Sequence, residues 1–136
     1  MPSRLEDPRS RVDAQDASRT AASLASLWFE AVGYFARQEA LMELHAYPGR
    51  SAHRAAHHLF LRDLKDLVRE LREGGLTEEA SRWARQRVPD SFALHVETHD
   101  RPLLHFIIVK GIFARFATEA RGKKQGAVPL DSPTHG

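Results

Sequence analysis

In residues 51–71, SAHRAAHHLFLRDLKDLVREL, apolar and histidine side chains recur at steps of three and four. This spacing is typical of one face of an amphipathic α-helix. The face comprises His53, His57, Phe60, Leu64, Leu67 and Leu71. Two histidines four residues apart lie about 40° apart around a helix axis and one turn apart along it. Their imidazoles can therefore converge on one ion, and Gly74-Gly75 is expected to end the helix.

Two further helices are predicted on either side of this segment. The helix before it has an apolar seam that consists of Leu24, Leu27, Ala31, Tyr34, Gln38 and Leu41. The helix after it keeps helical spacing through Phe92, His95, His99, Phe106, Val109 and Phe113. Pro89 lacks a backbone donor, so a kink or a restart is expected near Asp90. Short connections between long helices predict an all-α, antiparallel up-down bundle with three long helices.

Composition indicates one globular domain. The chain has 136 residues, of which 42% are hydrophobic and 28% are charged, as is ordinary for such a domain. Residues 1–17 are polar and are expected to form a flexible N-terminal arm. The helical bundle is expected in residues 18–120, and residues 121–136 are expected to form a flexible C-terminal tail.

Charge and cysteine content exclude several kinds of site. The net charge is only +2 with both signs scattered, which argues against a nucleic-acid-binding surface. No apolar run reaches the length of a membrane span and the N-terminus lacks the apolar core of a signal peptide, so a cytoplasmic location is expected. Because there is no cysteine, a metal would need imidazole and oxygen ligands, a set that suits iron, zinc or manganese.

Four short motifs follow one another in a characteristic order: YFARQEALM at 34–42, YP at 47–48, HRAAHHLFL at 53–61 and HVETHD at 95–100. This order resembles the hemerythrins, non-haem di-iron proteins that bind oxygen inside a four-helix bundle. The resemblance covers roughly residues 24–105. It implies that His53, His57 and His95 hold one iron and that Asp100, which bridges both irons in that family, completes the ligand set.

Periodicity by itself does not pair His95 with Asp100. Five residues on an ideal α-helix correspond to a rotation of about 140°, so the two side chains would point in different directions. His99, four residues after His95, is the better partner on these grounds and remains a rival ligand or a hydrogen-bond donor to one.

The first motif departs from the hemerythrin pattern at two ligand positions. Tyr34 stands where a histidine of the second iron belongs, and Gln38 stands where the bridging glutamate belongs. The first helix of the family is interpreted as truncated or lost. Two divalent ions would then face mainly one carboxylate, so we expect at most one tightly held metal. Gln38 could donate to Asp100, bind the metal weakly through its oxygen, or have no role. Tyr34 is expected in the core, and Glu39 lies one residue away from the bridging position.

Three functions remain open. The favoured one is a hemerythrin-like protein that is not an enzyme and binds non-haem iron, one ion per chain, with O₂ or another diatomic ligand, for carriage, storage or sensing. The second is a mononuclear metalloenzyme. The third is a metal-free helical module with an interaction or structural role. In that case the missing helix would leave an apolar groove lined by Leu24, Leu27, Leu64 and Leu67, which predicts a homodimer or cover from the N-terminal arm.

Overall fold

The structure, a computed structural model, describes residues 8–126 and the side chains of residues 14–122. Within this range the chain forms three helices and no strand, which confirms the all-α class. Helix α1 is Pro8–Leu44 and helix α2 is Arg50–Gly74. Helix α3 occupies residues 78–126. It comprises the α-helical segments Glu78–Arg82, Val88–His95 and Arg101–Gly126, joined by the π-helical segments Trp83–Arg87 and Val96–Asp100.

Helix α1 is already formed at Pro8, the first described residue, ten residues before the predicted start at residue 18. Ala17 and Ala21 are buried, so packing supports the helix ahead of the predicted seam. At the other end of the chain, α3 runs to Gly126, beyond the predicted limit of residue 120. Residues 1–7 and 127–136, the remaining parts of the predicted arm and tail, lie outside the described residues.

The core lies where α2 packs against both α1 and the first half of α3. Its buried members are Ala21, Leu24, Ala31, Phe35, Phe60, Leu64, Leu67, Val68, Leu71, Ala80 and Val88. Trp28 donates from its indole nitrogen to the carbonyl of Leu61 at 3.1 Å, which ties α1 to α2 beside this core. Helix α3 starts with a side-chain cap, because the Thr77 hydroxyl accepts from the Ala80 N–H at 3.0 Å.

The predicted lining of an open groove is wrong. Leu24, Leu64 and Leu67 are buried in the core, and Leu27 packs against it. These side chains occupy the seams by which α1 and α2 face each other and α3, so they are covered by the three helices already present. The apolar side chains that remain exposed lie elsewhere, mainly on α3.

Both irregularities in α3 are π-helical turns. The first ends at Arg87, just before Pro89, and there the Val88 N–H bonds to the Trp83 carbonyl five residues earlier. A proline ring in a regular α-helix clashes with the carbonyl of the preceding turn, and the wider turn relieves this crowding. The expected interruption near Asp90 is therefore a π segment, after which the helix continues. None of the helices in the described part of the chain is long and apolar enough to cross a membrane.

Candidate metal centre

Four side chains converge between helices α2 and α3. His53 and His57 come from α2, and His95 and Asp100 come from α3. Each offers one ligand atom, and these atoms all lie within 4.8 Å of one another. The three imidazoles are at most 5% exposed, so the cluster is closed off from bulk water on most sides. The structure thus brings together all four residues that the sequence predicted as metal ligands.

The α-helical geometry of α2 places the first two ligands. His53 and His57 are one turn apart on the buried face, and their ring centroids are 4.5 Å apart. The third ring, His95, lies 5.1 Å from His53 and 4.9 Å from His57, measured between centroids. The three rings therefore form a compact triangle across the α2–α3 interface.

The second π segment brings Asp100 to the same point. In Val96–Asp100 the backbone bonds span five residues, as in the bond from the Arg101 N–H to the Val96 carbonyl. One turn then takes up about one residue more than an α-helical turn, so residues five apart share a face. His95 Nε2 lies 3.0 Å from Asp100 Oδ1 as a result. The α-helical rotation used for the sequence does not hold here, and π turns of this kind are frequent at functional sites.

His99 does not join the four converging side chains. It is half-buried, and its ring centroid lies 5.3 Å from those of His53 and His95. Because the π turn rotates Asp100 into the cluster, His99 is moved to its edge. The structure therefore places His99 as a neighbour of the candidate ligands and Asp100 as a member of the set.

Asp100 is held by three side chains from three directions. Its Oδ1 lies 3.1 Å from His53 Nε2 as well as 3.0 Å from His95 Nε2. Its Oδ2 accepts a hydrogen bond from the Tyr34 hydroxyl at 3.1 Å. Gln38 Nε2 donates to the same hydroxyl at 3.1 Å, so the predicted link from Gln38 to Asp100 runs through Tyr34. Tyr34 is partly exposed and bound to a ligand residue, which corrects its predicted place in the core.

His57 is oriented by the side chains of α1. Its Nδ1 lies 3.1 Å from Glu39 Oε2, and its Nε2 lies 2.8 Å from Gln38 Oε1. Glu39 is in turn fixed by Arg54, whose Nε donates to Oε1 at 3.1 Å. A neutral imidazole has one N–H, and we assign it to Nδ1 because a carboxylate is the stronger acceptor. This leaves Nε2 unprotonated, so Nε2 and Gln38 Oε1, 2.8 Å apart, face each other as two acceptors and their contact is not a hydrogen bond.

The protonation states suit a metal site. Burial lowers the pKa of His57 from 6.5 to about 4, with the Glu39 hydrogen bond opposing the shift. Burial also lowers the pKa of His53 and His95, against the attraction of Asp100. Burial and the Asp100 charge raise the pKa of Tyr34, so its phenol keeps its proton and remains a donor. The imidazoles are therefore neutral near pH 7, the form that binds a metal.

Two of the separations in the donor set match those expected around one divalent ion. Ligand atoms at about 2.1 Å from an ion and at right angles to one another are about 3.0 Å apart. The separations from Asp100 Oδ1 to His53 Nε2 and His95 Nε2 are 3.1 and 3.0 Å. His95 Nε2 is buried and makes no hydrogen bond within the described residues, despite the short distance to the carboxylate. An ion bound by this nitrogen would supply the missing partner.

Comparison with models of protein families, with curated proteins and with solved structures finds no match for this chain. The resemblance to the hemerythrins thus remains an interpretation of the residues, and the geometry of the cluster is the basis for any function.

An aromatic side chain closes the cluster from the α1 side. Phe35 is 1% exposed and stacks on His57, with ring centroids 3.9 Å apart and an angle of 10° between the planes. It also lies 5.2 Å from the His95 ring. Its position excludes water from one face of two candidate ligands and limits rotation of the His57 ring.

Two openings lead toward the candidate ligands. A groove of about 400 Å³ between α1 and α3 is lined by Asp100 and Tyr34 together with Leu41, Leu104 and Ile107. A smaller pocket of about 190 Å³ between α2 and α3 lies against His95 and His99. Both have room for a molecule of the size of water or O₂.

The sequence predicted the four candidate ligands but not the residues that orient them. The sequence places Glu39 one residue away from the bridging position and predicts no role for it, whereas in the structure it contacts His57 Nδ1 from outside the cluster. The sequence does contain an indication of this contact. Arg54 and His57 are three residues apart on one face of α2, so both can contact one carboxylate on α1. The stacking role of Phe35 has no comparable signal in the sequence.

Proposed function

We propose that this chain binds one transition-metal ion through His53, His57, His95 and Asp100, within an antiparallel up-down bundle of the hemerythrin type. The observation that supports this proposal is the convergence of three neutral, buried imidazoles and one carboxylate, whose ligand atoms all lie within 4.8 Å of one another. Iron is the proposed metal, and zinc or manganese would accept the same ligand set. Bound ferrous iron would supply the capacity to bind O₂ or another diatomic molecule.

The chain's own residues divide the remaining tasks. Glu39 holds the Nδ1 proton of His57, which keeps Nε2 free for the metal. Tyr34 donates to Asp100 Oδ2 and so fixes the carboxylate with Oδ1 toward the histidines. Phe35 keeps water from the His57 face of the site. Because Asp100 and Glu39 are already engaged by these partners, we propose binding of a small ligand over catalysis.

One ion per chain is proposed because the second-iron positions carry neutral groups. Tyr34 and Gln38 form hydrogen bonds with each other and with the cluster, and neither brings a negative charge. A second divalent ion beside the first would have no further carboxylate directed at it from these positions.

Metal analysis of the purified chain tests the proposal. After anaerobic loading with ferrous iron and removal of excess metal, we expect about one ion per chain and an optical change on exposure to air or nitric oxide. Two irons per chain with an oxo-bridge absorption band would refute the one-ion site. No retained metal, together with unchanged stability of His53→Ala, would favour the metal-free helical module.

Glu39→Ala is expected to weaken metal binding roughly 10- to 100-fold, because it removes the carboxylate that sets the His57 tautomer. Glu43→Ala is the matched control, since Glu43 also binds Arg54 but does not touch a ligand residue. Competition with a chromophoric chelator measures both affinities. Equal loss of affinity in the two variants would show that Glu39 acts only through Arg54.

Deletion of Thr98 is expected to leave the metal site intact. The deletion shortens the π turn of Val96–Asp100 to an α-helical turn, in which His95 and Asp100 are four residues apart and still share a face. Deletion of Ser91, in the α-helical segment Val88–His95, instead rotates the flanking parts of α3 by about 100° relative to each other. Metal content and thermal unfolding should therefore be near wild type for the first deletion and strongly reduced for the second.

A further inference from the structure

The second half of α3 carries an apolar stripe on its outer face. Leu104, Ile108, Ile112 and Phe116 recur every four residues and are 58%, 52%, 44% and 64% exposed. On an α-helix these positions fall within an arc of about 120°. The opposite side of the helix faces the body of the protein, where Leu103 is buried and Phe106 contacts Tyr47 with ring centroids 5.2 Å apart.

Helix α3 also extends past the rest of the described chain. Lys110 still contacts the rest of the protein, since its ammonium group donates a hydrogen bond to the His45 carbonyl in the α1–α2 turn at 2.7 Å. Every described side chain from residue 111 to residue 122 is exposed. A helical segment of about this length is only marginally stable in water without packing, so a surface that covers the stripe would stabilise it.

The stripe is self-complementary about residue 110. Positions 108 and 112 are equidistant from that point, and so are positions 104 and 116. The charged residues Arg101 and Glu119 extend the same face by one turn at each end, and they too are equidistant from residue 110. An antiparallel copy of the helix would therefore set apolar residues against apolar residues and Arg101 against Glu119, while the exposed His105 and Arg115, which fall within the same arc, would face each other.

We propose that two copies of this chain associate through antiparallel pairing of their α3 helices, with the two-fold axis beside residue 110. The interface spans residues 101–119, a length of about 28 Å. It comprises Arg101, Leu104, Ile108, Ile112, Phe116 and Glu119 from each copy, so that every contact occurs twice. The proposal does not depend on the metal site, and it replaces the groove first predicted from the sequence with a different surface.

Charge favours a second copy over another occupant. Arg101 is largely exposed, and among the described residues its one ion-pair partner is Glu97 of its own helix, at 2.9 Å. In the paired helices it gains Glu119 of the second copy at one end of the interface, and Glu119 gains Arg101 at the other. Lys110 lies on the far side of the helix and is already bound to His45, so the two copies of this residue do not meet on the axis.

Sedimentation equilibrium of the full chain tests the association. We expect a dimer. In Ile108→Lys the dissociation constant of the dimer should rise at least roughly 30-fold, because one substitution places two charges in the apolar centre of the interface. Leu44→Lys is the control, since Leu44 is 74% exposed but lies outside the stripe. A monomer at all concentrations, or a dimer weakened by Leu44→Lys and not by Ile108→Lys, would overturn the proposal.

Charge reversal tests the pairing of the two ends. Arg101→Glu and Glu119→Arg should each weaken the dimer, because each variant places like charges opposite each other. The double variant Arg101→Glu/Glu119→Arg restores opposite charges at both ends and should recover dimerisation. Failure of the double variant to recover association beyond the weaker single variant would contradict this alignment.

Cysteine cross-linking tests the direction of the helices, and the chain has no cysteine of its own. In the proposed pairing, copies of residue 111 are offset by about 3 Å along the axis, whereas copies of residue 118 are offset by about 24 Å. Gly111→Cys should therefore cross-link with a short thiol reagent and Thr118→Cys should not. A side chain at Gly111 meets nothing within 4 Å, so the substitution is accommodated. Equal cross-linking at both positions would indicate parallel helices and exclude the proposed axis.

Discussion

His95→Ala is expected to reduce metal affinity by more than about 100-fold. Loss of an outer partner of a ligand typically costs 10- to 100-fold, and loss of the ligand itself should cost more. His95 is the one histidine that α3 contributes to the four converging side chains, so the variant leaves two imidazoles on α2 and one carboxylate. Metal content after gel filtration measures how much metal the variant retains, and competition with a chelator measures its affinity.

Two further variants make the result specific. His105→Ala removes an exposed histidine from the same helix and should retain metal as wild type does. Asp100→Asn keeps the size of the side chain but removes the negative charge, so it should also lose metal while the helices remain folded. Retention of one tightly bound ion by both His95→Ala and Asp100→Asn would refute the proposed ligand set.

The metal-free protein is expected to lose stability as the pH falls from 6.5 toward 4. The pKa of His57 is about 4 in the folded chain against 6.5 when unfolded, so between these values the unfolded state binds the proton more strongly. The stabilisation is fully present above pH 6.5 and is lost as the pH falls through this window. For His57 it corresponds to about 3 kcal/mol at 1.36 kcal/mol per pKa unit.

His53 and His95 should add to the same loss, because burial lowers the pKa of each. Urea denaturation at a series of pH values, with a chelator present throughout, measures the change in the free energy of unfolding. His57→Phe serves as the comparison. Because its ring cannot take up a proton, the free energy of unfolding of this variant should change less with pH. A free energy of unfolding that is constant from pH 7 to pH 4.5 would contradict the buried, neutral state of these histidines.

The helices and most of the candidate site were predictable because they depend on local periodicity. The seam of α2 gave its buried face, and all six of its residues are buried. The cap at Thr77 follows from a side chain that competes for the first free N–H groups of a helix. His53 and His57 needed only the four-residue step of an α-helix to be placed together.

The features that the sequence did not predict depend on contacts between helices or on irregular backbone. The approach of Asp100 to His95 requires a π turn, and a rotation of about 100° per residue cannot predict it. The burial of Leu24 and Leu67 depends on how closely three helices pack, which their own periodicity does not reveal. The contacts of Tyr34 and Glu39 with the cluster likewise require the position of α1 relative to α2 and α3.

The way His57 and Asp100 are held has a consequence for the kinetics of metal exchange. The His57 ring cannot easily swing aside, because Phe35 covers its face and Glu39 holds its outer nitrogen. Asp100 has the more accessible side chain, 11% exposed, and borders the groove between α1 and α3. A departing ion would therefore leave past the carboxylate, and the Tyr34 hydroxyl that restrains Asp100 would govern how fast a chelator can strip the site.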